Sequence, residues 1–339
     1  MIGWPYNGGW QSIDLEKSLY YDAQIARYTA YIMDSLMNEL QIPVGVTTQA
    51  WLNANGFEQI TETSMIGGNA SSQIYLLSNQ RHDKIVAKIS TAINDDVYAK
   101  EAHGLNLLTQ TQSLRIPEVL HVSDNCLLIE HIASKQQTSD YWRTFASQLA
   151  DLHRSNTSQD KTSQSDLTPR PPRFGLEHDN YCGENPQLNG WYNDGHAFFS
   201  EQRLLHQAQL ALDNGFLEFQ WVTYIESICK RLPELIPTQP SSLLHGDLWS
   251  GNLLVDEHGQ PALIDPAVYY GWREADIAMT LMFGGLPHEF YLAYDEAWPM
   301  EAQWRNRVPL YNLYHLLNHL NIFGLSYAEQ VKDTIGRYV

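Results

Sequence analysis

From Tyr21 the apolar positions Tyr21, Ile25, Tyr28, Ile32, Leu36 and Leu40 step by three or four residues, the spacing of one helical face, and Pro43 ends the run. Between Thr61 and Ser90 the pattern changes. Ile74–Leu77 and Ile85–Ile89 are short β-prone segments on either side of the polar turn Ser78-Asn79-Gln80-Arg81-His82-Asp83, which predicts a hairpin. Helical spacing resumes over Val97–Leu108. Two strand-like stretches follow, Val119–Val122 and Cys126–Ile129, joined by a turn at Ser123-Asp124-Asn125. Tyr141–His153 is an amphipathic helix carrying Trp142, Phe145, Leu149 and Leu152 on one face, and residues 154–173 are so polar that they predict a surface loop. Helical patterns continue at Ala197–Leu212, Trp221–Leu232 and Arg307–Tyr338, interrupted by a short β-like stretch between Leu243 and Ile264. The expected architecture is a small sheet carrying one helix, then a mostly helical part.

Composition narrows the class of function. The chain has 339 residues, 43% of them hydrophobic, enough for a two-lobed core and too apolar for disorder. Its 21 basic residues face 39 acidic ones, a net charge of −18. Such a surface repels phosphate backbones, so neither nucleic acid nor an anionic membrane is an expected partner. Cys126, Cys182 and Cys229 lie far apart with no C-x-x-C spacing, which suits a reducing cytoplasm better than a disulfide framework or a zinc cluster. No uninterrupted apolar run exceeds five residues, so neither a signal peptide nor a transmembrane helix is expected.

The densest chemical signal is Leu243-Leu244-His245-Gly246-Asp247-Leu248-Trp249-Ser250-Gly251-Asn252-Leu253-Leu254-Val255, followed by a turn and Pro261-Ala262-Leu263-Ile264-Asp265. A strand enters a polar loop, a second leaves it, and a third returns to end on an acid. Asp247, Asn252 and Asp265 then face one space. Phosphoryl transfer needs such a triple: a carboxylate to take the acceptor's proton, and an amide and a second carboxylate to hold Mg²⁺ on nucleotide phosphates. The spacing matches H-R-D-x-x-x-x-N, with Gly246 in place of arginine. Upstream, Gly67-Gly68 could let backbone amides approach phosphate, Lys88 in Ile85-Val86-Ala87-Lys88-Ile89 resembles the phosphate-binding lysine of a V-A-I-K strand, and Glu101 on the next helix is its natural ion-pair partner. The P-loop, G-x-G-x-x-G, H-E-x-x-H and G-x-S-x-G patterns are absent.

The motif Leu244–Asn252 with its Trp249-Ser250-Gly251 insertion, together with Ile264-Asp265-Pro266-Ala267, Arg273-Glu274-Ala275-Asp276-Ile277-Ala278, Asn185-Pro186-Gln187-Leu188-Asn189 and Leu310–Asn318, resembles the fructosamine kinase (ketosamine-3-kinase) family over about residues 42 to 339. The resemblance implies an α+β, protein-kinase-like bilobal fold: an N-lobe at 42–129 with one αC-like helix, a hinge at 130–133 and a helical C-lobe at 134–339. Residues 1–41 would be an added arm and helix. It further implies ATP, Mg²⁺ and transfer to the 3-hydroxyl of a small ketosamine or a glycated protein lysine, in a monomer or homodimer. Carried over by position, Asp247 is the base, Asn252 and Asp265 hold metal, and Lys88 with Glu101 clamps phosphate. Glu130-His131-Ile132 meets adenine, Glu274 and Asp276 brace the loop that begins at His245, and Trp249 walls the substrate pocket. A kinase for another hydroxylated amine, such as an aminoglycoside or choline, and a nucleotide-binding pseudokinase are the rival expectations. Trp272 and Gly195-His196 depart from the family pattern.

Overall fold

The computed structural model describes residues 42–68, 72–90, 96–155 and 173–339. The helix expected between Tyr21 and Leu40, and most of the polar loop, lie outside the described residues. A helix α1 (Val46–Ala54) precedes five antiparallel strands, β1 (Ile60–Gly68), β2 (Ser72–Asn79), β3 (Lys84–Ser90), β4 (Val119–Ser123) and β5 (Cys126–Glu130), with α2 (Val97–Gln110) between β3 and β4. The sheet order is β1-β2-β3-β5-β4, and the expected hairpin is present with Leu77 opposite Ile85.

Alternation along the central strands places the chemistry. Successive side chains of a strand point to opposite faces. Ile85, Ala87 and Ile89 of β3, with Cys126 and Leu128 of β5, pack against Leu52 of α1. The intervening residues of β5, Leu127 and Ile129, belong to a second core shared with Tyr98, Ala102, Leu105 and Leu108 of α2. Lys88 therefore leaves β3 on the α2 side, by geometry rather than by chance. α1 was not expected from the sequence. It buries only Thr48 and Leu52, too little for a visible helical face.

After the irregular segment 131–138, α3 (Tyr141–Ser155) opens the C-lobe. Two short hairpin strands, β6 (Asn180–Cys182) and β7 (Asn185–Gln187), precede a helical run: α4 (Gly195–Phe198), a π-helical turn Phe199–Leu205, α5 (His206–Asp213) and α6 (Phe219–Leu235). The strands β8 (Ser242–Leu244), β9 (Leu253–Val255), β10 (Pro261–Leu263) and β11 (Tyr269–Gly271) follow, then α7 (Glu274–Thr280), α8 (His288–Ala297), α9 (Trp304–Phe323) and α10 (Ala328–Gly336). β9 and β10 form the expected hairpin, Leu253 opposite Leu263, whereas β8 pairs with β11.

Two buried cations organise this lobe. Arg203, fully buried on the π-helical turn, lies over the rings of Phe198, Tyr269 and Tyr314 at 4.6, 4.0 and 5.3 Å and donates to Asn189 Oδ1 at 2.9 Å. It joins four elements through cation–π contact. Arg307 of α9 forms a two-pronged bond with buried Glu274, Nε to Oε2 and Nη2 to Oε1 both at 2.7 Å. Arg307→Ala leaves that carboxylate buried and unpaired, so we expect a loss of about 3–5 kcal/mol in urea unfolding. A loss below about 1 kcal/mol would mean that solvent reaches Glu274.

Candidate active site

The loop from His245 to Asn252 joins β8 to β9 and is held from behind. Buried Asp276 accepts the backbone N–H of His245 at 2.7 Å and that of Gly246 at 2.9 Å, and lies 3.2 Å from Nε2 of His153. Burial pushes the Asp276 carboxyl up, but His153 and these backbone donors hold it below the usual carboxylate value. His245 is kept neutral mainly by burial. Its Nε2–H donates to Ile264 O at 2.9 Å, and its Nδ1 accepts the Asp247 N–H at 3.3 Å. Gly246 has φ +82°, and a Cβ there would lie 2.0 Å from Ala267 O. No arginine fits, which explains the departure from H-R-D.

Asp247 is pushed up to about 6, mainly by burial and further by Asp265 and Asp276, against the hydrogen bond from Asn252. Asn252 Nδ2 donates to Asp247 O at 2.8 Å and to its Oδ2 at 3.2 Å, which leaves Asn252 Oδ1 as the free end of the amide. Asp265 takes the left-handed conformation, φ +56°, a strained backbone for a non-glycine residue that aspartate tolerates better than most. Lys88 Nζ donates to Glu101 Oε1 at 2.5 Å and also to Asp265 Oδ1. Burial alone would lower the lysine pKa; the two carboxylates overcome it and hold the ammonium charged. Gly104 lets α2 approach so closely, since a Cβ there would meet Val268 Cγ2 at 3.2 Å.

These groups line one cleft of about 440 Å³ between the lobes: Lys88, Glu101, Asp247, Trp249, Asn252 and Asp265, with Gly68 at the sheet end. Gly68, at φ +135°, would carry a Cβ 2.5 Å from Ser72 O, so glycine is required there, whereas a Cβ at Gly67 would make ordinary contact with Ile74. Trp249 packs edge-on to Phe283, ring centroids 5.4 Å apart. Tyr98, Asn180, Tyr181 and Glu184 also line the cleft, and no periodicity or motif in the sequence marked them. Glu130, His131 and Ile132 are not among its lining residues. The Glu130 side chain pairs with Arg115, and Ile132 is buried. Glu274, expected beside Asp276 as a brace of this loop, instead faces Arg307.

The two departures from the family pattern fit each other. A Cβ on Gly195 would lie 2.6 Å from Trp272 Cζ2, so the indole fills the space a side chain at 195 would take, and the His196 ring lies tilted against the same ring, centroids 5.0 Å apart. Neither residue lines the cleft.

An N-terminal antiparallel sheet with a lysine–glutamate pair, and a helical lobe offering Asp, Asn and Asp, define a phosphotransferase of protein-kinase-like fold. The chain belongs to the fructosamine kinase family, whose model matches residues 46–339. It is 35% identical over 286 residues to a probable ketoamine kinase of Vibrio parahaemolyticus, covering 83% of this chain and 93% of that one. It is 33% identical over 303 residues to the chloroplastic protein-ribulosamine 3-kinase of Arabidopsis thaliana, covering 85% and 86%. A crystal structure of a candidate fructosamine-3-kinase from Thermobifida fusca superposes with a TM-score of 0.73 at 28% identity, over 86% of this chain and 98% of that one.

Burial lowers His315 to about 3 and His319 to about 4, with His319 also opposing the charge of His315. Below pH 6.5 the unfolded chain binds protons that the folded chain refuses. The contribution of these two rings to stability is therefore full above that pH and falls as pH drops toward 4, by up to about 1.4 kcal/mol per pH unit for each histidine, more than the single Asp247 carboxyl returns as it protonates. The urea midpoint should fall between pH 7 and pH 5, and His319→Gln should flatten the slope. A midpoint constant over that range contradicts the burial of these rings.

Proposed function

We propose that the chain is an ATP-dependent ketosamine 3-kinase acting on ribulosamine- or fructosamine-type adducts of small amines or protein lysines, a repair reaction of glycated amines. The observation that carries this reading is the convergence of Asp247, Asn252, Asp265 and the Lys88–Glu101 pair on one cleft in a chain of this family. Among the residues lining that cleft, Glu101, Glu184, Asp247 and Asp265 outnumber Lys88 and Lys100. An acid surplus favours a divalent cation and a protonated substrate amine.

In this reading Asp247 accepts the proton of the C3 hydroxyl as its oxygen attacks the γ-phosphorus, and ADP leaves with the bond broken. Lys88, held by Glu101, meets the α and β phosphates, and the backbone at Gly68 allows close approach from above. The donor set fits Mg²⁺: the Asp265 carboxylate and the Asn252 carbonyl are hard oxygens at the ends of fixed elements. When bound, the ion neutralises charge on the phosphates. Trp249 forms the apolar wall for the sugar or its amine. Residues 130–133 act as a hinge between an N-lobe at 42–129 and a C-lobe at 134–339, and the backbone of Glu130, His131 and Ile132 receives adenine. Three free cysteines support work in the cytoplasm. No helix among the described residues is long and apolar enough to cross a membrane.

The test is ADP release with Mg²⁺ and a panel of ribulosamines, fructosamines, aminoglycosides and choline. Turnover is expected with the ketosamines, and turnover confined to the other amines would sink the substrate assignment. Asp247→Asn should lower kcat by roughly a hundredfold or more while ATP still binds; undiminished kcat removes Asp247 as base. Lys88→Met should abolish most turnover or ATP affinity, and unchanged kcat and KM would take Lys88 out of the site.

A further inference from the structure

Away from the loop that carries Asp247, two imidazoles and a carboxylate meet, one from the helix of the small lobe and two from the large lobe. His103 lies on α2, two residues beyond Glu101, and Glu177 and His178 lie in the segment before β6. One ligand atom from each falls within 4.8 Å of the others. His103 Nε2 is 3.1 Å from Glu177 Oε1, yet it is buried and makes no aligned hydrogen bond. The two imidazoles meet edge to face at 4.6 Å.

We propose that His103, Glu177 and His178 form a binding site for a divalent transition-metal ion of the Zn²⁺ type, tying α2 to the C-lobe. Two imidazoles and one carboxylate are the borderline-soft donor set that zinc accepts, with a fourth position left for water, whereas Mg²⁺ prefers oxygen alone. Tetrahedral zinc spaces its donors about 3.3 Å apart, close to the His103–Glu177 separation, and exposed Glu177 can turn to close the rest. The supports are already fixed. The Nδ1 of His178 lies 3.3 Å from Asp179 O, so it donates there and leaves Nε2 for the ion. Asn189 donates through Nδ2 to His178 O at 3.1 Å and through its backbone N–H to Asp179 Oδ1 at 2.7 Å. Asn180 Nδ2 donates to Val268 O at 2.9 Å, and Gly104 packs α2 against the same Val268. Burial, with His178 and Lys100 adding to it and Glu177 opposing, holds His103 below the ordinary histidine pKa, so the ring is neutral and able to ligate near neutral pH.

The experiment titrates metal-stripped full-length protein with Zn²⁺ or Co²⁺ in the presence of excess Mg²⁺. One equivalent should bind with a dissociation constant in the micromolar range or tighter, give the visible d–d absorption of low-coordinate Co²⁺, and raise Tm as the free ion rises. His103→Ala and Glu177→Gln should each weaken binding roughly tenfold or more. Glu177 is exposed, so its variant decides the matter if His103→Ala does not fold. Three results would overturn the proposal: binding no tighter than millimolar, affinity unchanged in Glu177→Gln, or a near-ultraviolet sulfur-to-cobalt band. The last would assign the ion to the buried Cys182, Asp247 and His315 group instead.

Discussion

The ammonium group of Lys88 reaches two carboxylates at once, Glu101 from the helix of the small lobe and Asp265 from the end of a hairpin in the large one. A buried lysine tolerates its charge only with such company. Much else in the molecule serves to make the meeting possible. The alternation of β3 turns Lys88 toward α2, and the missing side chain of Gly104 lets that helix settle against Val268. The left-handed backbone at Asp265 swings its carboxylate back toward the sheet. Remove any one of these and the three charges no longer share a point, so the two lobes would face each other without a common electrostatic centre.

A second constraint lies beneath the loop that carries Asp247. Asp276 grips two successive backbone amides of that loop while His153, itself 2.7 Å from Tyr294 Oη, lies against it. The loop is thus positioned in part by charge-assisted bonds from its main chain, beside those that the His245 and Asn252 side chains make. Arg203 performs a comparable service further out. Its planar cation holds three aromatic rings and the β6–β7 segment in one arrangement, and that segment supplies Asn180, Tyr181 and Glu184 to the cleft wall. Lysine, a point charge without a stacking face, could not replace it.

Legibility in the sequence followed burial geometry. The hairpins of the N-lobe and the strand–loop–strand around Asp247 were readable because turn residues punctuate short apolar runs, and α3 because one face is wet. α7 escaped because all seven of its residues are buried and no polar stripe marks a period. α1 escaped for the opposite reason, having almost no buried face. Glu274 was given the role of its neighbour Asp276, yet residues two apart on a helix point about 200° from each other. One therefore faces the loop and the other faces α9. Tyr181 and Glu184 reach the cleft through a hairpin of three-residue strands, and nothing in local pattern reports where so short a hairpin will dock.

The glycine between His245 and Asp247 bears on which sequences this fold can reach. Because the carbonyl of Ala267 occupies the volume where a β-carbon would sit, placing arginine at 246 is not a neutral single step. The pairing of β8 with β11, which puts Tyr269 opposite Leu244, would first have to shift. Any lineage connecting this loop to an H-R-D loop must then pass through a remodelled strand before the residue exchange. The two loop types are separated by a barrier in mutational order, even though they carry aspartate and asparagine at identical spacing.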